Sequence, residues 1–325
     1  MKEIPAELID FITRGNKFII AGHLEPDGDC VGSQLALASA LKRLGKKAIP
    51  CSAGPFKRTE VKPYEKFFTP SPSEADLKDA RVIIADCGAL ERTGKLAPLL
   101  ESLPLAIIDH HAGGQYAEGG QSAGPVFIDG NAPSATLLVL HLIEALGLSL
   151  APEEAELLLF GLCTDTGFFR HVDEKGAESF EAAAAMIRAG ASPKKAFQDI
   201  HGGKSLDSRI LMGHILSRAE SHFNGRLILS TEEYEETQRF GLEGRDSDAV
   251  YQMLQSIGGM EAIVIIRQEK PDNCTVGFRS RDKVDVAAVA KSFGGGGHKN
   301  AAGLSIAGTI DELKPRILAA FQNIL

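Results

Sequence analysis

The chain has 325 residues, of which 44% are hydrophobic, and a formal net charge of −8 at pH 7. This length and apolar content predict about two globular domains with buried cores and exclude a disordered chain. The negative charge argues against a protein that binds long nucleic acid by neutralising its phosphates with basic residues. A small anionic substrate can still bind at a local basic site. Five scattered cysteines and the lack of a long apolar run predict reduced thiols, a cytoplasmic protein and no membrane span.

Short apolar runs alternate with helical patterns up to about residue 190. The runs KFIIAGH, KKAIPCS, ARVIIADCG and LPLAIIDHH each predict a strand that is apolar on both faces. Helices are predicted after the first strand and over residues 134–147, 152–163 and 176–190. The pattern therefore predicts an α/β N-terminal domain, residues 1–190, with a doubly wound and mostly parallel sheet.

The sequence changes character after residue 190. Residues 191–222 are helical in pattern, broken by a glycine pair, and predict a helical connector. Residues 223–325 predict a smaller α+β C-terminal domain, in which EAIVIIRQ and CTVGFRSR form a hairpin and GGGGHKNAAG forms a loop.

Acids and histidines follow three of the predicted strands. The residues are His23, Asp27 and Asp29 after the first run, Asp86 after the third, Asp109, His110 and His111 after the fourth, and Asp165 after a buried helical pattern. The carboxyl ends of parallel strands share one crevice, so we expect these side chains to converge. Crowded carboxylates repel one another unless a cation or a proton lies between them.

A single acid at a strand end is more often a helix cap or a turn residue than a metal ligand. Four such signals on separate segments favour a metal site instead. Oxygen and nitrogen ligands without a thiolate set suit Mn²⁺, Mg²⁺, Co²⁺ or Fe²⁺, and the number of ligands favours two ions. Such pairs catalyse phosphoryl displacement, so hydrolysis of a phosphate ester is expected.

Four segments resemble, in order and spacing, the motifs of the DHH phosphoesterase superfamily. They are HLEPDGDCVGS, ADCG, DHH and CTDTGFFRH, and FRSR with GGGGHKNAAG resembles the type 1 DHH-associated C-terminal domain. The compact length is similar to that of the bacterial nanoRNases that are also pAp phosphatases. This resemblance implies hydrolysis of very short oligoribonucleotides and linear dinucleotides (pApA, pGpG) to mononucleotides, and of pAp (adenosine 3′,5′-bisphosphate) to AMP.

The resemblance also implies a ligand set for two metal ions. One ion would be held by His23, Asp27 and Asp86, and the other by Asp29, Asp86, His110 and Asp165, so that Asp86 bridges them. A hydroxide shared between the ions would attack phosphorus. Mn²⁺ is the expected metal, with Mg²⁺ or Co²⁺ as alternatives.

Further roles concern residues beside these ligands. His111 would contact the phosphate and, with Asp86, serve in catalysis, whereas Asp109 is expected to order the loop. Cys30 is expected to be a small packed residue and not a ligand, because a thiolate suits a hard cation poorly. Arg170 and His171 follow Asp165 closely and could line the same crevice.

Substrate binding is predicted for the C-terminal domain. Arg279, Ser280 and His298 match positions that contact a substrate phosphate in the family, and Asn300 is a further candidate. Gly295 and Gly296 would let backbone amides approach an anion closely. A guanidinium fork suits a terminal phosphate. The glycines could equally serve as a helix cap, so both readings remain open. A cleft between two domains would limit the length of the substrate.

Several alternatives remain open from the sequence. They are a cyclic-dinucleotide phosphodiesterase, an inorganic pyrophosphatase or exopolyphosphatase, and a nucleotide-binding regulator without activity. GGGGHKNAAG counts against the pyrophosphatase, and the complete set of motif ligands counts against the regulator. The expected partners are short RNA, linear dinucleotides and pAp, with no long duplex and no membrane, and the resemblance suggests a homodimer.

Overall fold

A computed structural model describes residues 2–111, 124–174, 176–242, 244–281, 283–322 and 324–325. The chain divides into two compact units, Met1–Gly203 and Lys204–Leu325. The domain bounds proposed from the sequence stay a prediction, and the predicted connector at 191–222 contributes residues to both units. Within the described ranges, no helix has the length and apolar character needed to cross a bilayer.

The first unit contains a parallel sheet, which confirms the predicted α/β class. Its strands are β1 (Lys17–Ala21), β2 (Lys47–Cys51), β3 (Arg81–Ala85), β4 (Leu105–Asp109) and β5 (Val126–Ile128). The strand order is β2-β1-β3-β4-β5, and every neighbouring pair is parallel. Only the three-residue β5 lacks a counterpart among the predicted strands, because so short a run carries little periodicity.

Helices cover both faces of this sheet. They are α1 (Ala6–Arg14), α2 (Gly28–Arg43), α3 (Glu74–Leu77), α4 (Ala97–Leu100), α5 (Ala135–Ala145), α6 (Pro152–Asp165), α7 (Ala177–Arg188) and α8 (Pro193–His201), with 3₁₀ helices at Lys62–Phe67 and Leu90–Leu96. Alternate residues of a strand point to opposite faces. Phe18 and Ile20 of β1 accordingly pack with α2, α5 and α6, whereas Ile19 packs with Leu96 and Leu100 on the other face.

The second unit is an α+β layer, as predicted. Its strands are β6 (Glu220–His222), β7 (Leu227–Glu232), β8 (Ala262–Lys270), β9 (Asn273–Ser280), β10 (Gly296–His298) and β11 (Ala301–Ala307). Its helices are α9 (Leu206–Ser217), α10 (Tyr234–Phe240), α11 (Ser247–Gln255), α12 (Val286–Ser292) and α13 (Ile310–Phe321). The strand order is β10-β11-β9-β8-β7-β6, with β7 and β8 parallel and the other pairs antiparallel.

The prediction that GGGGHKNAAG is a loop was wrong. Residues of this segment form β10 and the start of β11, joined by a turn at Lys299 and Asn300, and β11 pairs with β9 over its whole length. Glycine and alanine have low strand propensity, so the local sequence does not indicate a strand. The pairing with β9 fixes the conformation instead.

Candidate active site

The acids and histidines of the first unit converge at the carboxyl edge of the parallel sheet. His23 lies just after β1, Asp86 directly after β3, and His110 directly after β4. Asp27 is the N-cap of α2, where its carboxylate accepts a hydrogen bond from the Cys30 amide. The parallel strand direction therefore brings together residues that are far apart in the sequence.

His23 forms the first group of the site with two carboxylates. Its Nε2 atom lies 3.4 Å from Oδ2 of Asp86 and 3.8 Å from Oδ1 of Asp27, while Nδ1 is 2.7 Å from the Leu24 carbonyl. Burial lowers the pKa of His23, but the hydrogen bonds to Asp27 and Asp86 outweigh burial and raise it. Burial raises the pKa of Asp27, whereas His23 lowers it to about 2 overall.

His110 forms the second group with three carboxylates. Its Nε2 atom lies 3.2 Å from Asp165, 3.5 Å from Asp86 and 3.7 Å from Asp29, and Nδ1 is 3.2 Å from the Ala132 carbonyl. Burial lowers the pKa of His110, but Asp165, Asp29 and Asp86 together raise it to about 10. A proton on this imidazole thus offsets part of the carboxylate charge, and a bound divalent cation would take its place.

Asp86 is shared by the two groups. Its Oδ1 atom faces His110 and its Oδ2 atom faces His23. The residue is buried and has a positive φ of 60°. Burial is the largest effect on the pKa of Asp86 and raises it to about 6, aided by the charges of Asp27 and Asp165 and opposed by His23.

A divalent cation fits these residues. Among the described residues, Asp86 Oδ1 and His110 Nε2 are buried atoms without a hydrogen-bond partner, and they lie 3.5 Å apart. Ligand atoms of Asp29, His110 and Asp165 also lie within 4.8 Å of one another. Because buried polar atoms normally have partners, a bound cation would satisfy atoms that the chain leaves unpaired.

Asp29 has a second function in the fold. Its two carboxylate oxygens accept hydrogen bonds from the amides of Ala135 at 2.5 Å and Thr136 at 2.8 Å, the first two residues of α5. Ser134 caps the next amide of the same helix. Burial and the charges of Asp86 and Asp165 raise the pKa of Asp29, whereas the charge of His110 and the hydrogen bond with Thr136 oppose that rise. The site is thereby fixed to a helix that begins 106 residues away.

Asp109 orders the loop that carries the two histidines, as expected from the sequence. Its buried Oδ1 accepts hydrogen bonds from the amide of His110 at 2.9 Å and from Nδ1 of His111 at 2.7 Å. That hydrogen bond is the main reason that the pKa of His111 is raised. The His111 side chain is 43% exposed, so its ring can still reach a substrate.

Cys30, which is expected from the sequence to be a packed residue and not a ligand, lies beside the first group. Its Sγ atom is within 4.8 Å of ligand atoms of His23 and Asp86. It is fully buried, and burial raises the pKa of the thiol to about 11. The sequence feature that indicates a position near the site is the spacing of Cys30, which lies three residues after Asp27 and within the first turn of α2.

In the second unit, the two predicted phosphate contacts Arg279 and His298 share one face of the sheet. Arg279 on β9 pairs with Ala301 on β11, and Ala301 pairs with His298 on β10. Directly paired residues point to the same face of a sheet, so the side chains of Arg279 and His298 lie on one face with the small Ala301 between them. The Arg279 guanidinium stacks on the ring of Tyr251 at 4.5 Å. Tyr251 does not belong to any of the recognised motifs, so its contact with Arg279 was not predicted from the sequence.

The remaining predicted contacts differ in their surroundings. Ser280 is buried and its hydroxyl donates to the Val284 carbonyl at 2.7 Å, so it would have to rotate to bind a phosphate. A side chain at Gly295 would overlap the Gly303 carbonyl, whereas Gly296 is exposed and has open space around it. Asn300 is exposed in the hairpin turn. Substrate binding by these residues stays a prediction.

The fold and the shared-carboxylate site define a phosphoesterase. The family model "DHH family, N-terminal domain" matches residues 17–162, and the model "DHHA1 domain" matches residues 224–325. The chain belongs to the DHH family of phosphoesterases.

Similar proteins refine this assignment. The bifunctional oligoribonuclease and PAP phosphatase NrnA of Thermus thermophilus is 30% identical, over 94% of this chain and 89% of that protein. The Bacillus subtilis protein of the same name is 27% identical, over 98% and 97% of the two chains. An exopolyphosphatase-related protein from Bacteroides fragilis has the same fold, with a TM-score of 0.79, 23% identity and coverage of 99% and 98%.

Proposed function

We propose that the chain hydrolyses very short oligoribonucleotides and linear dinucleotides such as pApA and pGpG to mononucleotides, and pAp to AMP. The observation that carries this proposal is the position of Asp86, whose two oxygens face two separate histidine-acid groups. The similarity to oligoribonucleases with PAP phosphatase activity supports the choice of substrates.

Two divalent cations, most simply Mn²⁺ with Mg²⁺ or Co²⁺ as alternatives, are the proposed cofactors. The proposed ligands are His23, Asp27 and Asp86 for one ion, and Asp29, Asp86, His110 and Asp165 for the other. The chemistry that such ions supply when bound is activation of water and stabilisation of phosphoryl charge. The ring contacts of His23 with Leu24 and of His110 with Ala132 hold each Nε2 toward the carboxylates.

His111 is the proposed contact for the reacting phosphate. Asp109 accepts the hydrogen bond of its Nδ1–H group, so Nε2 can donate to a phosphoryl oxygen when the ring is protonated, and the raised pKa of His111 favours that form. A donor placed there stabilises negative charge that develops during displacement. Asp109 is the residue that positions this ring.

A product time course tests the proposed function. End-labelled RNAs from dinucleotide to decanucleotide and pAp would be incubated with and without Mn²⁺, and products separated by length. We expect fast release of mononucleotides from the shortest RNAs, AMP from pAp, and slow cleavage of long RNAs. Rapid hydrolysis of pyrophosphate with none of these products would contradict the proposal.

Arg279 is the proposed partner of the 5′ phosphate in the second unit. Replacing Arg279 with alanine should raise KM for pApA about 10- to 100-fold, because a charge-assisted fork contact contributes roughly 1.5–3 kcal/mol. KM for bis(p-nitrophenyl) phosphate, which lacks a terminal phosphate, should change much less. Steady-state kinetics on both substrates measure the difference.

Arg281→Ala is the matched control. Arg281 lies two residues further along and donates to the Gln255 carbonyl at 2.7 Å, outside the proposed contacts. Its KM values should equal those of the unmodified chain. Equal increases for both substrates in Arg279→Ala would rule out a role in binding the terminal phosphate.

A further inference from the structure

A cavity of about 530 Å³ adjoins the second group of the site, entirely within the first unit. Its wall includes Asp165, whose carboxylate lies 3.2 Å from His110 Nε2, and Ala132, whose carbonyl contacts Nδ1 of the same ring. The volume falls within the range of about 300–1,000 Å³ that small-molecule sites occupy. A substrate whose phosphate reaches His110 therefore has space beside it for a further group.

The wall of this cavity is rich in hydrogen-bond acceptors. The polar lining residues are the acids Asp165, Asp173 and Glu178, the amide Asn131, the imidazole His171, and the hydroxyl residues Thr166 and Ser179. No lysine or arginine belongs to the lining among the described residues. Like charges repel, so the wall disfavours a phosphate. It suits a neutral group with several donors, because each carboxylate offers about four acceptor positions.

Ser179 adds an unpaired hydroxyl to the wall. The residue is 1% exposed, and its Oγ atom has no hydrogen-bond partner in the part of the chain that the structure describes. It lies in the first turn of α7 and lines the cavity. A buried hydroxyl without a partner costs roughly 1–3 kcal/mol, and a ligand hydroxyl in the cavity would reduce that penalty once the Ser179 side chain rotates toward it.

We propose that this cavity binds the ribonucleoside of the substrate through its sugar hydroxyls. The phosphate of the same nucleotide would lie at the acidic cluster. The inference rests on the proposed function and deepens it, because it assigns the enzyme to ribonucleotides and not to pyrophosphate or simple phosphate esters. A ribose presents adjacent hydroxyls, which match a wall of carboxylate acceptors that also includes the hydroxyl residues Thr166 and Ser179.

A comparison of pApA with its 2′-deoxy counterpart tests the proposal. In the unmodified chain with Mn²⁺, kcat/KM for the ribose form should exceed that for the deoxy form about 10-fold or more, since a site that pairs a hydroxyl rejects the analogue without it. Ser179→Ala should reduce this ratio severalfold. Adenosine, which has no phosphate, should compete with pApA more strongly than 2′-deoxyadenosine does.

A second variant, Asn131→Leu, tests nucleoside binding in the cavity without changing Ser179. Asn131 is exposed on the cavity wall, so Asn131→Leu should narrow the cavity and weaken adenosine competition about 10-fold without disturbing the core. Asn16→Leu makes the same change at an exposed residue directly before β1, at the opposite edge of the sheet, and should leave competition unchanged.

The outcomes separate the two hypotheses. Equal hydrolysis of the ribose and deoxy dinucleotides by the unmodified chain would overturn the cavity assignment while leaving the proposed function intact. The cavity assignment would also be overturned if Ser179→Ala kept the ribose preference and Asn131→Leu kept the adenosine competition. If neither dinucleotide is hydrolysed but pyrophosphate is, the proposed function itself fails.

Discussion

Replacing Asp86 with asparagine should reduce hydrolysis of pApA about 10³-fold, which corresponds to roughly 4 kcal/mol of lost transition-state stabilisation. Asparagine has nearly the same shape and tolerates a positive φ, so the backbone at 60° can be kept. It carries no charge, however, and offers one carbonyl oxygen where Asp86 directs two oxygens toward two groups. Steady-state kinetics with saturating Mn²⁺ measure the effect.

The same substitution should raise the free energy of unfolding of the chelator-treated chain at pH 7 by about 1 kcal/mol. This gain is less than the roughly 2.7 kcal/mol that two pKa units represent, because His23 and His110 lose a carboxylate partner. Burial raises the pKa of Asp86 to about 6, above the usual value near 4. The folded chain therefore binds this proton more tightly than the unfolded chain, so stability falls as the pH rises from about 4 to 6 and the penalty is complete at pH 7. Asparagine does not ionise and avoids that penalty.

Urea unfolding at pH 4 and pH 7 measures this difference. The gain in stability should be present at pH 7 and small at pH 4. Asp10→Asn, at an exposed position of α1, is the control and should change neither stability nor hydrolysis by much. Near-normal hydrolysis by Asp86→Asn would refute the shared-carboxylate site.

Replacing Asp29 with alanine should have the opposite effect on folding. The change leaves the amides of Ala135 and Thr136 without their acceptors at the buried start of α5. Unpaired buried donors cost roughly 1–3 kcal/mol each, and relief of repulsion with Asp86 offsets part of that, so we expect a net loss of about 2 kcal/mol. Hydrolysis should also be lost, because Asp29 is a proposed ligand.

Chemical unfolding of the chelator-treated protein distinguishes this effect from loss of metal. Ser134→Ala removes the neighbouring cap of α5 and the hydrogen bond between the Ser134 and Thr136 hydroxyls, and should cost about 1 kcal/mol with hydrolysis retained. Asp29→Asn keeps one acceptor and should fall between alanine and the unmodified chain. A fully stable Asp29→Ala would show that water replaces the carboxylate at the helix.

Much of the fold and the convergence of the site follow from local sequence. The apolar runs define the strands of the parallel sheet, and the common strand direction brings Asp86 and His110 to one edge with His23. The strands can be predicted from the hydrophobic pattern of short segments, and the convergence of the site follows because parallel strands end at the same edge of the sheet.

Other features depend on contacts between distant segments and could not be predicted. The β11 strand is fixed by its pairing with β9, because its small residues do not favour a strand. The capping of α5 by Asp29 joins residues 106 positions apart. The cavity beside Asp165 requires α6, α7 and the segment before α5 to be placed together, and no motif encodes that placement.

The different effects of Asp86 and Asp29 bear on how activity can be recognised in related chains. Asp29 contributes to folding through α5, so it would be retained even in a descendant that had lost catalysis. Asp86 is expected to lower the free energy of unfolding at neutral pH, so a chain without hydrolysis would gain no stability by keeping it. The presence of the aspartate at position 86 is therefore the more informative sign that a chain of this family is an enzyme and not a nucleotide-binding regulator.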